Sequence, residues 1–135
     1  MVSKGRVLIV EDNHINQTLF RKFISKMGFH SDVAENGREA LDYLEVVRYD
    51  IILMDIMMPV MNGLECTKKI RSTNNPVIAL TPIIGISANL ELKNKALKAG
   101  MNSFIGKPVH FSILKHQIYQ TLELPNKSFV NLKQK

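Results

Sequence analysis

Short apolar runs alternate with amphipathic stretches along the whole of this 135-residue chain, strand then helix, and that order admits few architectures. A strand buried on both faces reads as an unbroken apolar run, and a helix between two such strands returns the chain to the same sheet edge, so the pattern predicts a parallel α/β sheet covered by helices. Arg6 to Val10, Ile51 to Met54, Ile83 to Ile86 and Ser103 to Ile105 have this character, each bounded by acids, Gly, Asn or Pro, and Phe29 to Val33 reads as a weaker edge strand. Between them, Ile15, Leu19, Phe23 and Met27 recur every four residues and Gly28 stops the helix. Asn36 caps a second helix carrying Ala40, Leu41 and Leu44, Asn62 a third with Leu64 and Ile70, and Asn89 a fourth with Leu92, Ala96 and Leu97 ahead of Gly100. A fifth runs from Phe111 to Leu122 with Leu114, Ile118 and Leu122 on one stripe, closed by Pro125, and the polar stretch from Asn126 to Lys135 is expected to fray. Ser72 to Pro82 is the irregular part. Because Pro82 lacks an N–H and suits a strand interior poorly, the segment reads as an inserted loop before a strand at Ile83, rather than a strand from Val77.

Composition narrows the function classes. One domain fits in this length, and 45% hydrophobic with 22% charged residues predicts a soluble globular core. Runs such as Val7 to Val10 fall far short of a membrane span, no secretory cleavage site follows Met1, and the lone Cys66 builds no disulfide framework, so an intracellular, cytoplasmic setting is expected. The net charge of +6 invites a nucleic-acid reading, but the basic residues are dispersed without interleaved aromatics, which favours a solvated basic surface.

Ligands of an open parallel sheet collect beyond the carboxyl ends of its strands, where the strand order reverses. Glu11 and Asp12 follow the first strand, Asp55 the third, Ser87 the fourth and Lys107 the fifth. In a flavodoxin-like order 2-1-3-4-5, strands one and three are neighbours, so the three carboxylates converge. Mutual repulsion of such a group is relieved by a hard divalent cation, and Mg²⁺, which keeps open positions for phosphate oxygens, is the natural one. Lys107 supplies a point charge, Ser87 a hydroxyl donor, and Asp55 the best-placed carboxylate nucleophile toward phosphorus. Any one of these residues taken alone reads as a cap or loop residue; the set at one sheet end does not. Lys107-Pro108 is a candidate cis bond that would aim the lysine.

These residues, in the motifs Val10-Glu11-Asp12-Asn13, Leu53 to Gly63, Ile86-Ser87-Ala88 and Gly106-Lys107-Pro108, resemble the receiver domain of two-component response regulators over about residues 5 to 124. The resemblance implies a five-stranded sheet of order 2-1-3-4-5 with five surrounding helices, a receiver domain over 1–124 and a polar tail over 125–135. It implies that Asp55 is the phosphoacceptor, that Glu11, Asp12, Asp55 and the Met57 carbonyl hold Mg²⁺, and that Ser87 and Lys107 contact the phosphoryl group with Phe104 as the aromatic switch partner. Met57 and Asn89 take the positions that tune dephosphorylation. Val10 to Gln17 and the full Met57 to Gly63 loop are most similar to receivers of hybrid histidine kinases, whose partners are a histidine kinase or histidine phosphotransfer protein. The implied role is that of a phosphoacceptor with self-phosphorylation and self-dephosphorylation chemistry only, without membrane or nucleic-acid contact, either excised from a larger chain or standing alone.

Competing functions differ in the first loop. A flavodoxin-like cofactor carrier needs an N–H and hydroxyl cradle there for the flavin phosphate, where this chain has Glu11-Asp12. A hydrolase using Asp55 lacks a neighbouring acid/base carboxylate in the sequence. His14 reads as a surface helix residue, Cys66 as a packed small hydrophobe, and most of the seven methionines as packing.

Overall fold

A computed structural model describes residues 4–124. The expectations for the stretch from Pro125 to Lys135 lie outside the described residues. Five parallel strands, β1 (Arg6–Val10), β2 (His30–Ala34), β3 (Ile51–Asp55), β4 (Ile83–Ser87) and β5 (Ser103–Gly106), form one sheet in the order β2-β1-β3-β4-β5. Register pairs Ile9 with Leu53, Leu53 with Ile84 and Ile84 with Ser103, so the strands start and finish nearly in line and their carboxyl ends share one edge.

Pleating separates the core into two layers. Val7, Ile9, Ile51, Leu53, Ile84, Ile86 and Ile105 face one side of the sheet. There they meet α1 (His14–Lys26) and α6 (Phe111–Thr121) through Phe20, Ile24, Leu114 and Ile118. Leu8, Val10, Ile52 and Met54 face the other side, under α2 (Gly37–Val46), α3 (Gly63–Arg71) and α5 (Lys93–Ala99). β3 and β4 are buried at every residue, which is why they read as unbroken apolar runs. Asn13, Asn36 and Asn62 each accept from the backbone N–H three residues on, and so start α1, α2 and α3.

Two expectations are corrected. Among the described residues the helices number six, because the segment expected as a loop contains the single turn α4 (Pro76–Ala79), capped by Asn75 and opened by Pro76 at its first position. Asn89 caps a 3₁₀ turn over Leu90–Leu92, which then runs into α5 without a side-chain cap of its own. The four-residue repeat locates α1, and its second half enters the core through Phe23 and Met27; Phe20 and Ile24 are buried beside them, while Ile15 is 79% exposed.

β4 does begin at Ile83. Its N–H donates to Asn102 Oδ1 at 2.9 Å, while the Pro82 carbonyl accepts from Ile52 N–H. The same Asn102 oxygen accepts from Arg71 Nη2 at 3.0 Å, and Arg71 further donates to the carbonyls of Gly100, Ala79 and Thr81 at 2.7–2.9 Å. One guanidinium thus ties the end of α3 to α4 and to the turn entering β5. Arg71→Met keeps the apolar stem and orphans these acceptors. It is expected to lower unfolding stability by about 2–4 kcal/mol in urea titration, with a loss under about 1 kcal/mol counting against the clasp.

Candidate functional site

The aligned strand ends bring the predicted residues together. Glu11, just past β1, Asp55, the last residue of β3, and Ser87, the last of β4, are at most 3% exposed, while Asp12 is exposed at the mouth. One carboxylate oxygen from each of Glu11, Asp12 and Asp55 lies within 4.8 Å of the others. Lys107 reaches in from the end of β5 and places Nζ 3.3 Å from Glu11 Oε1 and 3.4 Å from Asp55 Oδ1. Its peptide bond to Pro108 is cis, and its N–H donates to the Ser87 carbonyl at 3.0 Å.

One ammonium cannot balance this group. Burial, reinforced by the charge of Asp55, pushes the Glu11 carboxyl up to about 7, although the Asn13 N–H donates to its Oε2 at 3.1 Å and Lys107 opposes the shift. Asp55 is also raised, again chiefly by burial, against the pull of Lys107. Carboxylates that are costly to ionise, close together and open on one side through Asp12 make a hard oxygen-donor set suited to a divalent cation.

Two residues without an assigned role in the sequence reading hold this arrangement. Asn13 both caps α1 and donates to Glu11, and Gln17, one turn on, donates its amide N–H to the Glu11 carbonyl at 2.7 Å. The acid pair is therefore fixed to the first turn of α1. Neither role was read from the sequence: an Asn just ahead of the first helical residue is a local cap signal, whereas the reach of Gln17 needs the folded turn.

The loop after Asp55 is tightly wound. Met61 N–H donates to the Pro59 carbonyl at 2.7 Å across Val60, whose φ of 69° is a strained conformation for a β-branched residue. Gly63 N–H closes the loop on the Ile56 carbonyl at 2.9 Å, and a Cβ at residue 63 would lie 2.5 Å from the Asp55 carbonyl oxygen. Glycine is required there by close approach. Met57 is 65% exposed beside the site. Asn89 donates its N–H to Ser87 Oγ at 3.0 Å, and its side-chain oxygen accepts from the Glu91 N–H. Phe104 is half-buried and pairs in register with Gly85, whose open Cβ position is filled by the Met101 side chain.

The response regulator receiver domain model matches residues 7–119, nearly all of the folded unit. The chain belongs to the response regulator receiver family. This receiver domain is 39% identical over 115 residues to two-component response regulator 24 of Arabidopsis thaliana, covering 83% of the chain and 80% of that protein. It is 39% identical over 134 residues to hybrid signal transduction histidine kinase K of Dictyostelium discoideum, covering 94% of the chain but only 11% of that protein. Among solved structures, it matches the receiver domain of sensor histidine kinase PA1611 from Pseudomonas aeruginosa, described with magnesium coordinated in its active site cleft. That match has a TM-score of 0.81 and 32% identity over 88% of this chain and 98% of that one. A receiver domain co-crystallised with a histidine phosphotransfer signaling protein of Saccharomyces cerevisiae matches with a TM-score of 0.79 and 32% identity, covering 90% of each chain. The receiver domain is thus a module of two-component signalling, of the kind found in response regulators and hybrid kinases alike.

Proposed function

We propose that this receiver domain accepts a phosphoryl group on Asp55 from a phosphohistidine of a histidine kinase or histidine phosphotransfer protein. The observation that carries this is the buried Asp55 carboxylate, 3.4 Å from Lys107 Nζ and within reach of Glu11 and Asp12. An Asp55 oxygen forms the new bond to phosphorus as the P–N bond breaks, and the imidazole leaves with the electron pair. Lys107 meets the charge that develops on the phosphoryl oxygens, and the Ser87 hydroxyl donates to one of them. Glu11, Asp12, Asp55 and the Met57 carbonyl are the ligands we assign to Mg²⁺, which when bound neutralises carboxylate and phosphoryl charge together. The magnesium in the Pseudomonas receiver supports that assignment. The flavin alternative is not supported, since the end of β1 carries a buried Glu11 where a phosphate cradle would be needed.

Incubation with acetyl phosphate and Mg²⁺, followed by residue-level mass mapping, tests the reading: a single phosphoryl group is expected on Asp55. Labelling elsewhere, or labelling undiminished by excess chelator, would overturn it. On the same reading Ser87 moves toward the phosphoryl oxygen and Phe104 follows into the space it vacates. Amide shifts between free and fluoroberyllate-bound protein are then expected to cluster from Ser87 to Lys107, and shifts confined to the neighbourhood of Asp55 would exclude the switch.

We assign Met57 and Asn89 to the approach of the hydrolytic water. Met57 offers only a weak thioether acceptor, so the phosphorylated state is expected to decay slowly, and Met57→Glu to decay about tenfold faster by phosphate-release assay. Equal decay in the two proteins would clear Met57 of that role. Among the described residues no helix is long and apolar enough to cross a membrane. The free, buried Cys66, its thiol pushed up to about 12 chiefly by burial, suits the reducing cytoplasmic setting we assign.

A further inference from the structure

The fold sorts its methionines sharply. Met27, Met54, Met58 and Met101 are at most 9% exposed, and Met61 is partly buried against the core. Met57 is the exposed one among the described methionines, and it stands two residues past Asp55 on the rim of the loop that leaves the site. A buried thioether is shielded from solutes, and adding an oxygen to it would force a polar group into the core. At Met57 neither obstacle holds. Its neighbour Met58 is buried, and the loop is closed by the bond from Gly63 to Ile56, so a larger and more polar side chain at residue 57 extends into solvent while the backbone stays pinned.

The competing soft nucleophile is out of play. Cys66 is fully buried, with Sγ 3.5 Å from the Gly37 carbonyl oxygen, and burial pushes its thiol up to about 12. Peroxides attack the thiolate, which this cysteine does not present at neutral pH. An oxidant in solution therefore meets the Met57 sulfur as the accessible reductant beside the carboxylate cluster.

Resting on the receiver reading above, we infer that Met57 is an oxidation site for peroxides and that its sulfoxide shortens the life of the phosphorylated state. One peroxide oxygen bonds to the Met57 sulfur as the O–O bond breaks; sulfur is oxidised by two electrons, the peroxide is reduced, and the departing hydroxide takes up the remaining proton and leaves as water. The product exchanges a weak thioether acceptor for a strongly polarised oxygen. Next to Asp55 that oxygen accepts a hydrogen bond from water and holds it on the approach to phosphorus. It positions the water without taking its proton, so its effect is smaller than that of a carboxylate at the same residue. Peroxide thus clears the phosphoryl group without disturbing the core, and reduction of the sulfoxide by a thiol-dependent reductase restores the long-lived state.

The test treats the unphosphorylated protein with hydrogen peroxide, removes the oxidant and maps the product by peptide mass. Met57 is expected to gain one oxygen about tenfold faster than Met54, Met58 or Met101, with Cys66 unmodified. After labelling with acetyl phosphate and Mg²⁺, the oxidised protein is expected to release phosphate about threefold faster than the reduced one. Treatment with methionine sulfoxide reductases for both sulfoxide epimers is expected to return it to the slow rate. Met57→Leu, which has no sulfur, is expected to decay at one rate with or without prior peroxide. Earlier oxidation of a buried methionine or of Cys66, unchanged or slower decay once Met57 is oxidised, or the same acceleration by peroxide in Met57→Leu each overturns the inference. Labelling of Asp55 in untreated wild type separates the two readings. Labelling with a decay indifferent to Met57 oxidation refutes only the sulfoxide effect, while absence of labelling refutes the phosphoacceptor and this inference with it.

Discussion

Asp55→Asn is expected to eliminate phosphorylation by acetyl phosphate, while the protein remains folded with an unchanged or higher unfolding midpoint. The two parts go together because Asp55 is a costly residue for the fold: it is buried beside Glu11 and its carboxyl is held above the usual range. The isosteric amide removes the proposed nucleophile and one buried charge but preserves volume, so loss of labelling cannot be ascribed to unfolding. Full labelling of the variant, or its collapse on thermal melting, would contradict the assignment.

Glu11→Gln should stabilise the metal-free receiver domain at pH 8 by on the order of 3 kcal/mol and leave it nearly unchanged at pH 4. The sign follows from a folded carboxyl raised to about 7 from an ordinary 4.5. The folded state keeps a proton that the unfolded chain releases, so the wild-type protein loses stability as pH climbs through that window, and the loss is complete above it. Glutamine has no proton to lose and escapes the penalty. Adding Mg²⁺ closes most of the gap: wild type gains about 2.7 kcal/mol at a metal concentration a hundred times its dissociation constant, and the variant gains much less. Urea titrations at the two pH values, with chelator and with metal, decide the matter. Parallel pH profiles for the two proteins would show that burial of Glu11 carries no such cost.

The parts of the fold that were legible beforehand are those set by burial on both faces of a sheet. β3 and β4 are apolar because helices cover them on both sides, and the order of strands and helices then places Glu11, Asp12, Asp55, Ser87 and Lys107 at one edge. Legibility failed where a residue had two physical meanings. Pro76 reads as a breaker, yet after Asn75 it is the first residue of a helical turn, where a missing N–H costs nothing. Ile15 and Leu19 have the spacing of a core stripe, yet Phe20 and Ile24 are the buried residues, since in a helix rich in apolar side chains spacing alone does not choose the face. The reach of Arg71 to residues 79, 81, 100 and 102 had no local signal, because its acceptors belong to separate parts of the chain.

The loop that leaves Asp55 is a closed ring, joined by the bond between Gly63 and Ile56 and wound so tightly that a methyl group at residue 63 would strike the carbonyl of Asp55 itself. Its circumference is therefore a fixed length. Substitutions on its outer rim, at Met57 or Val60, change chemistry while the Asp55 carboxylate stays in place, but a single residue added or removed would shift the helix that follows and that carboxylate with it. The closed ring tolerates a change of side chain on its rim but not a change in its number of residues.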